Sequence, residues 1–334
     1  SLGECDIIIL VKIMINEKIL KRLIPITGEE RAILNGEKID KNLYMNGNAS
    51  VISSKKLMEE GKLITVRPHT RFVHFPKHSH DFIEVIYMCK GETTHIVNGK
   101  KIVLREGELL FLGQNASQEI LPASEDDIAV NFIILPDFFD LPLAILGNED
   151  TPLRQFIIEH LKSNGEKSSF LHFEVSDVLP VQNLVENLIW TLINKTPNVR
   201  KINRRTMGLL FLHLLNHTDR LIEHGHSDGD IIKVLAYVEE NYQNGSLAEL
   251  SENLHYDFYW LSKEIKSRTG KTYTEILQQK RLSQACFLLE TTDLNVSDIS
   301  NRVGYSNISY FHRIFNRNFN VSPKKYREIH GGRK

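Results

Sequence analysis

Two imidazoles and a carboxylate stand within seven residues of one another: His78, His80 and Glu84 in "HSHDFIEVIYMCKG". In an extended chain alternate residues share a face, so the three side chains are expected to point one way. Such a set has the chemistry to ligate a first-row metal ion such as iron, manganese or zinc. It has equally the chemistry to line a metal-free pocket for a small polar ligand. His74 and His95 are further candidates for that pocket, and Arg71 is a weaker one. A second concentration of chemistry is cationic. Between Phe258 and Arg327, twelve Lys and Arg face five Asp and Glu, a surplus of seven that leaves the rest of the chain at −8. A basic end on a chain of net charge −1 is the asymmetry of a nucleic-acid-binding module, although charge alone would also suit a solvated helical surface.

The elements that must position these groups change along the chain. At 334 residues there is room for two domains and a connector. Residues 1–13 are apolar but short, interrupted by Lys12, and fit neither a signal peptide nor a membrane span. They are expected to be an appended leader, with Met14 a natural start. "EKILKRLI" predicts a short helix. From Leu63 to about Leu135 the runs "DFIEVIYMC", "TTHIVNG", "KKIVLREG", "ELLFLG" and "DIAVNFIIL", broken by Gly, Asn and Pro, predict an all-β barrel or sandwich. "VNGK" predicts a tight hairpin turn at Asn98-Gly99.

From Val181 the period becomes helical. Val181, Leu184, Val185, Leu188 and Leu192 form one stripe, and Met207, Leu210, Phe211, Leu214, Leu215, Leu221 and Ile222 a second. These helices have three possible partners: the barrel, each other or a second subunit. "HSDGD" at 226–230 predicts a linker, with Asp228 or Asp230 capping the next helix. The three cysteines, Cys5, Cys89 and Cys286, form no CxxC and read as free thiols of a reducing compartment, hence the cytoplasm.

Beyond the linker one pattern occurs twice. "LAELSENLHYDFYWLSKEIKSRTGKTYTEIL" aligns with "VSDISNRVGYSNISYFHRIFNRNFNVSPKKYREI", pairing Leu250 with Ile299, Leu254 with Val303 and Tyr256 with Tyr305. After a one-residue slip it pairs Leu261 with Phe311, Ile265 with Phe315 and Tyr273 with Tyr326. Each copy predicts a short helix with Ser251 or Ser300 facing inward, a tight turn, and a second amphipathic helix: a helix-turn-helix. Gly304 supplies the positive φ of the second turn, where the first copy has His255, a residue that also visits that region. Asp257, and Ser306 or Asn307, are expected to cap the second helices.

On these residues the last hundred positions resemble the DNA-binding domain of the AraC/XylS family of bacterial transcription regulators. The family's signature is met at Arg281, Ala285, Leu288-Leu289, Ile299, Gly304-Tyr305, Tyr310-Phe311, Arg313, Phe315, Phe319, Ser322-Pro323 and Tyr326-Arg327. The resemblance implies double-stranded DNA as a partner, read by two recognition helices joined by a long helix at about 272–290. Carried over by position, Tyr259, Ser262, Lys263, Ser309, His312 and Arg313 would face base edges. Lys266, Arg317, Lys324 and Lys325 would contact phosphates. Tyr310 is expected to pack, Arg281 and Arg327 to be structural, and Glu264 to weaken the first helix by repelling phosphate.

The spacing HxH(x)3E(x)6G at His78, His80, Glu84 and Gly91 in turn resembles the first cupin motif. A second cupin motif is incomplete: Gly99 and Gly107 are in place, Arg105 replaces the usual Pro, and Gln118 stands where another His would come. The resemblance thus implies an α+β protein of two domains. A cupin-like sensor spans 14–175, a helical linker or dimerisation region 176–227, and an all-α DNA-binding domain 228–334, with helix-turn-helix motifs at about 246–268 and 295–318. It implies a regulator without cofactor or metal, responding to a small effector, a sugar. The regulator is expected to be a homodimer that contacts RNA polymerase if it activates. The competing reading is a metal-dependent cupin enzyme with a helical tail, for which His78, His80 and Glu84 would be the ligands.

Overall fold

The computed structural model describes residues 15–45, 50–114, 116–145, 170–222 and 229–331. The expected leader, Met14, Cys5 and Asp228 lie outside the described residues. The described chain falls into two compact units, one up to Pro142 and from 170 to 222, the other holding 143–145 and everything from 229.

In the first unit the described strands are β1 (Val51–Ile52), β2 (Ile64–Pro68), β3 (Phe75–His80), β4 (Ile83–Lys90), β5 (Glu92–Val97), β6 (Lys100–Arg105), β7 (Leu109–Leu112), β8 (Gln118–Ile120), β9 (Ile128–Ile134), β10 (Phe170–Phe173) and β11 (Leu221–Ile222). They form one sheet in the order β1-β3-β8-β5-β6 and another in the order β11-β10-β7-β4-β9-β2. The two pack face to face: Val97, Ile102 and Leu104 of the first join Ile86, Met88, Leu110, Leu112 and Ala129 of the second in one apolar cluster. The Asn98-Gly99 hairpin has φ of 52° and 79°, the paired positive values of the tight turn expected there.

β3 and β4 belong to different sheets, so His78, His80 and Glu84 do not share one strand, as alternation along a single extended segment would have it. The chain crosses between sheets at Asp81-Phe82. Asp81 pins that corner by accepting hydrogen bonds from the Ser54 N–H (2.6 Å) and the Ser53 hydroxyl (3.1 Å). The three side chains still converge, from opposite walls.

β4 lies between β7 and β9 and is buried on both faces. Its inward residues alternate as Glu84, Ile86 and Met88. Outside, the helices Leu179–Asn194 and Val199–Leu215 cover the sheet. Tyr87 donates to Gln182, which in turn donates to the carbonyls of Gly107 (2.9 Å) and Val175 (2.7 Å). Gly107 has φ +83°, and a Cβ there would lie 2.6 Å from that of Ser176, so the close approach requires glycine. The Phe211 ring lies tilted against Phe111 at 5.9 Å and meets Phe139 edge-on at 5.7 Å. The helix pair therefore packs on the sheet and on itself. Leu221 and Ile222 do not continue the second helix: it ends at Leu215, and Leu221 pairs with Phe173 as strand.

The N-terminal segment is tied to this unit by a buried ion pair. Glu30 completes a capping box with Thr27 and accepts from Arg71 Nε at 2.7 Å and Nη2 at 3.0 Å. Burial alone would raise the Glu30 pKa, but these hydrogen bonds outweigh it and bring it down to about 2. Arg71 also donates to the carbonyls of Glu125 and Ile24. It is a clamp, not a pocket residue.

The second unit contains Gly229–Asn241, with Asp230 in its first turn, and then the two copies. Leu247–Asn253 and Phe258–Thr269 form the first copy, Val296–Arg302 and Ile308–Phe319 the second, with Tyr273–Thr291 between them and Pro323–His330 after them. Both turns carry the left-handed residue, His255 at φ 56° and Gly304 at φ 91°. In both the next amide bonds back to the inward serine's carbonyl at 2.9 Å, Tyr256 to Ser251 and Tyr305 to Ser300. A Cβ on Gly304 would meet the Gln243 carbonyl oxygen at 2.5 Å, whereas the first turn has room for histidine. Asp257 caps Trp260 N, and Asn307, not Ser306, caps Tyr310 N. Thr272 and Ser322 are equivalent caps, so Tyr326 corresponds to Ile276 and not to Tyr273, whose equivalent is Pro323. Arg281 donates to the carbonyls of Tyr242 and Gln243, and Arg327 to those of Leu289 and Leu294, which makes both structural.

Candidate ligand pocket and nucleic-acid interface

Between the two sheets of the first unit, buried polar side chains form two hydrogen-bonded sets, one on each sheet. On the five-stranded side, His78 Nδ1 donates to the Pro76 carbonyl at 2.8 Å. The Gln118 amide bridges His78 Nε2 and His95 Nδ1 at 3.1 Å each, and His95 Nε2 meets the Thr93 hydroxyl at 2.9 Å. On the six-stranded side, His69 Nδ1 bonds Asn131 Oδ1 at 2.9 Å, and Asn131 Nδ2 donates to Glu84 Oε1 at 2.8 Å. Because an amide oxygen only accepts, His69 carries its proton on Nδ1 and presents Nε2 as a bare acceptor.

The sets approach without joining. His69 and His95 rings lie 5.4 Å apart, and His80 Nε2 lies 3.6 Å from Glu84 Oε2, beyond hydrogen-bond length. The atoms left unpartnered are His69 Nε2, both nitrogens of His80, and Glu84 Oε2, all buried. Desolvation raises the Glu84 pKa to about 7 and lowers all four histidines, His80 and His95 far below their ordinary value. Near neutral pH His69, His80 and His95 are neutral, and Glu84 is poised between donor and acceptor.

A cavity of about 50 Å3 reaches this gap, large enough for a few waters. Its lining mixes His69, His78, Glu84, Asn131 and Arg67 with the apolar Phe75, Phe82, Ile120 and Ile133, and Tyr44, Ile52 and Leu57 close one side. Of the five expected pocket residues, His78 and Glu84 line the cavity. His80 and His95 belong to the surrounding polar cluster. His74 does not join them: it is about half exposed and bonds Glu119 at 2.7 Å. No motif marks His69 or Asn131, yet Asn131 is the one polar residue in the run Ile128–Leu135. Among the described residues no group of three or more His, Cys, Asp or Glu is arranged to hold a metal ion. His78 has both nitrogens committed, and Gln118 occupies the place of a further imidazole.

On the second unit the expected DNA face is exposed. In the first recognition helix, Leu261 and Ile265 are buried while Tyr259, Lys263 and Lys266 are exposed and Ser262 is half-buried. Tyr259 stands 80 % exposed. In the second, Phe311, Ile314 and Phe315 are buried while Ser309, Arg313 and Arg317 are exposed and His312 is half-buried. The spacing of three and four residues puts each set on one helix face. Lys324 and Lys325 are exposed on the last helix, Lys325 within 3.1 Å of Glu328. Two expectations change. Glu264 pairs with Arg268 at 2.8 Å, so its charge is balanced within the helix. Tyr310 is 42 % exposed, and the Arg313 guanidinium lies over its ring at 5.3 Å from the centroid.

A β-rich unit enclosing a polar cavity and a helical unit carrying two helix-turn-helix motifs define a ligand-binding transcription regulator. The AraC-like ligand binding domain matches residues 61–148, and a helix-turn-helix domain matches residues 250–329. The chain is 25 % identical over 286 residues to the HTH-type transcriptional activator RhaS of Citrobacter koseri, covering 84 % of this chain and 97 % of that one. RhaS of Salmonella schwarzengrund is 24 % identical over 283 residues, with the same shares. The C-terminal domain of AraT, a response regulator from Geobacillus stearothermophilus, is 27 % identical, covering 31 % of this chain and 88 % of that one at a TM-score of 0.30. The chain belongs to the AraC/XylS family of transcription regulators. It is a DNA-binding regulator with a ligand-binding domain, and the enzyme reading has no support among these relatives. No described helix is long and apolar enough to cross a membrane.

Proposed function

We propose that this regulator binds a polyhydroxylated effector, a sugar, at the gap between the two hydrogen-bonded sets, and that occupancy changes its affinity for an operator. The observation that carries this reading is the complementary valence left at the gap. His69 Nε2 is a spare acceptor and Glu84 Oε2 a group that donates or accepts, beside the aromatic faces of Phe75 and Phe82. Two hydroxyls of one ligand would join the two sheets. The cavity is smaller than ordinary ligand sites, which span roughly 300–1,000 Å3, so binding requires the side chains of Tyr44, Ile52 and Leu57 to move outward.

In this reading Tyr259, Ser262, Lys263, Ser309, His312 and Arg313 contact base edges, and Lys266, Arg317, Lys324 and Lys325 contact phosphates. The sensor is the segment 14–175 and the DNA-binding domain 228–334. The regulator works as a cytoplasmic homodimer through the exposed apolar residues of the helix pair, Leu179, Trp190, Ile202 and Leu209. Like its RhaS relatives it is an activator, and so contacts RNA polymerase. A thermal-shift screen of the full chain against mono- and disaccharides and their phosphates, with EDTA and with added divalent metals, tests the effector. A sugar that raises the melting temperature regardless of EDTA, and fails to do so in His69→Ala, supports the reading. A shift seen only with metal and lost in His78→Ala overturns the metal-free site.

A further inference from the structure

We propose that Phe258 and Ile308 read the 5-methyl group of thymine, each at the stretch of operator that its own recognition helix meets. The inference rests on the DNA-binding reading above and gives it a base preference. Both residues occupy the first position of a recognition helix, directly after the caps Asp257 and Asn307. The caps fix these first turns, and the first turn is the part of such a helix that meets base edges. Both side chains are hydrocarbon and both are left in solvent, Phe258 at 42 % and Ile308 at 39 % exposure. The Phe258 ring meets the Tyr259 ring edge-on at 5.5 Å, so an aromatic pair projects from the first helix.

Elsewhere in these helices Tyr259 stands for Ser309 and Ser262 for His312, and Lys263 and Arg313 are both cations. The leading position is apolar in both. A side chain without a polar atom cannot pair with a donor or acceptor in the major groove. The one apolar feature the groove offers is the thymine methyl.

The test uses the full chain. Random duplexes are selected for tight binding, and each thymine of the winners is replaced in turn by uracil, which removes the methyl and keeps the base pairing. Thymines at two positions of each half-site are expected, each losing about fourfold in affinity on replacement, the worth of one buried methyl. In Phe258→Ala the penalty should vanish at one position and remain at the other, with Ile308→Ala showing the reverse. Phe258→Leu, which keeps an apolar contact, should keep the penalty and so controls for a helix that has lost its shape. Winners in which wild-type protein tolerates uracil everywhere overturn the proposal alone, as does a penalty unchanged in both alanine variants. A selection that enriches no sequence overturns the DNA-binding assignments together with it.

Discussion

The two units keep their polar chemistry in opposite places. The β unit hides imidazoles, a carboxylate and amides inside, several with unpartnered atoms, while the helical unit packs an apolar interior around Phe311 and Phe315 and sets its cations outside. An interior with unspent hydrogen-bonding groups is less stable than an apolar one, because each such atom has lost water without replacement. That penalty is recovered when a ligand arrives, so the β unit is built to be stabilised by binding. The helical unit meets a polyanion whose charge does the attracting.

Core substitutions should therefore have opposite signs in the two units. Phe311→Ala empties the centre of an apolar cluster and should cost about 3–5 kcal/mol of stability in the helical unit, measured by denaturant unfolding. Next in size, Arg313→Ala should leave folding intact and weaken operator binding by about 1–3 kcal/mol, relaxing one base position in a binding-site selection. His80→Leu should raise the melting temperature of the ligand-free β unit, worth about 1 kcal/mol, while abolishing the effector-induced shift. An unchanged or lowered melting temperature would mean that His80 has a partner in solution.

Acid should also separate the units. His69, His78, His80 and His95 have lowered folded-state pKa values, so the unfolded chain takes up their protons first, and stability falls as pH drops below about 6.5. Glu84 works the other way: raised to about 7, its contribution is full below about 4.5 and lost as pH rises towards 7. Four groups outweigh one, so the β unit should melt earlier at pH 5.5 than at 7.5, and His80→Leu should reduce that difference. The smallest effect is Lys324→Ala, which should weaken binding to all sequences alike and lower the salt slope by about 1.

The sequence made the helical unit more legible than the β unit. Caps, inward serines and left-handed turns are local, so Asp257, His255 and Gly304 could be placed from their neighbours. Strands β4, β5, β6, β7 and β9 are legible as apolar runs. β8 and β11 are not, being two or three residues long and defined only by a distant partner: Leu221 fits a helical stripe until Phe173 pairs with it. The pocket was half legible. His78 and Glu84 share a motif, whereas Asn131 reaches Glu84 only through the pairing of β4 with β9, and His69 reaches Asn131 only through that of β2 with β9. His74 was misplaced because a histidine's type says nothing about which side of the sheet it takes.

One carboxylate joins the N-terminal segment to the sheets. Glu30 accepts from Thr27 N within its own helix and from Arg71 outside it, so a single group holds both the helix start and the docking contact. The helix 28–34 cannot detach while keeping its capping box, nor fray while keeping its clamp, without leaving a buried guanidinium uncompensated. Release of this segment is consequently all-or-none, and amide exchange across residues 28–34 should follow one common opening rate.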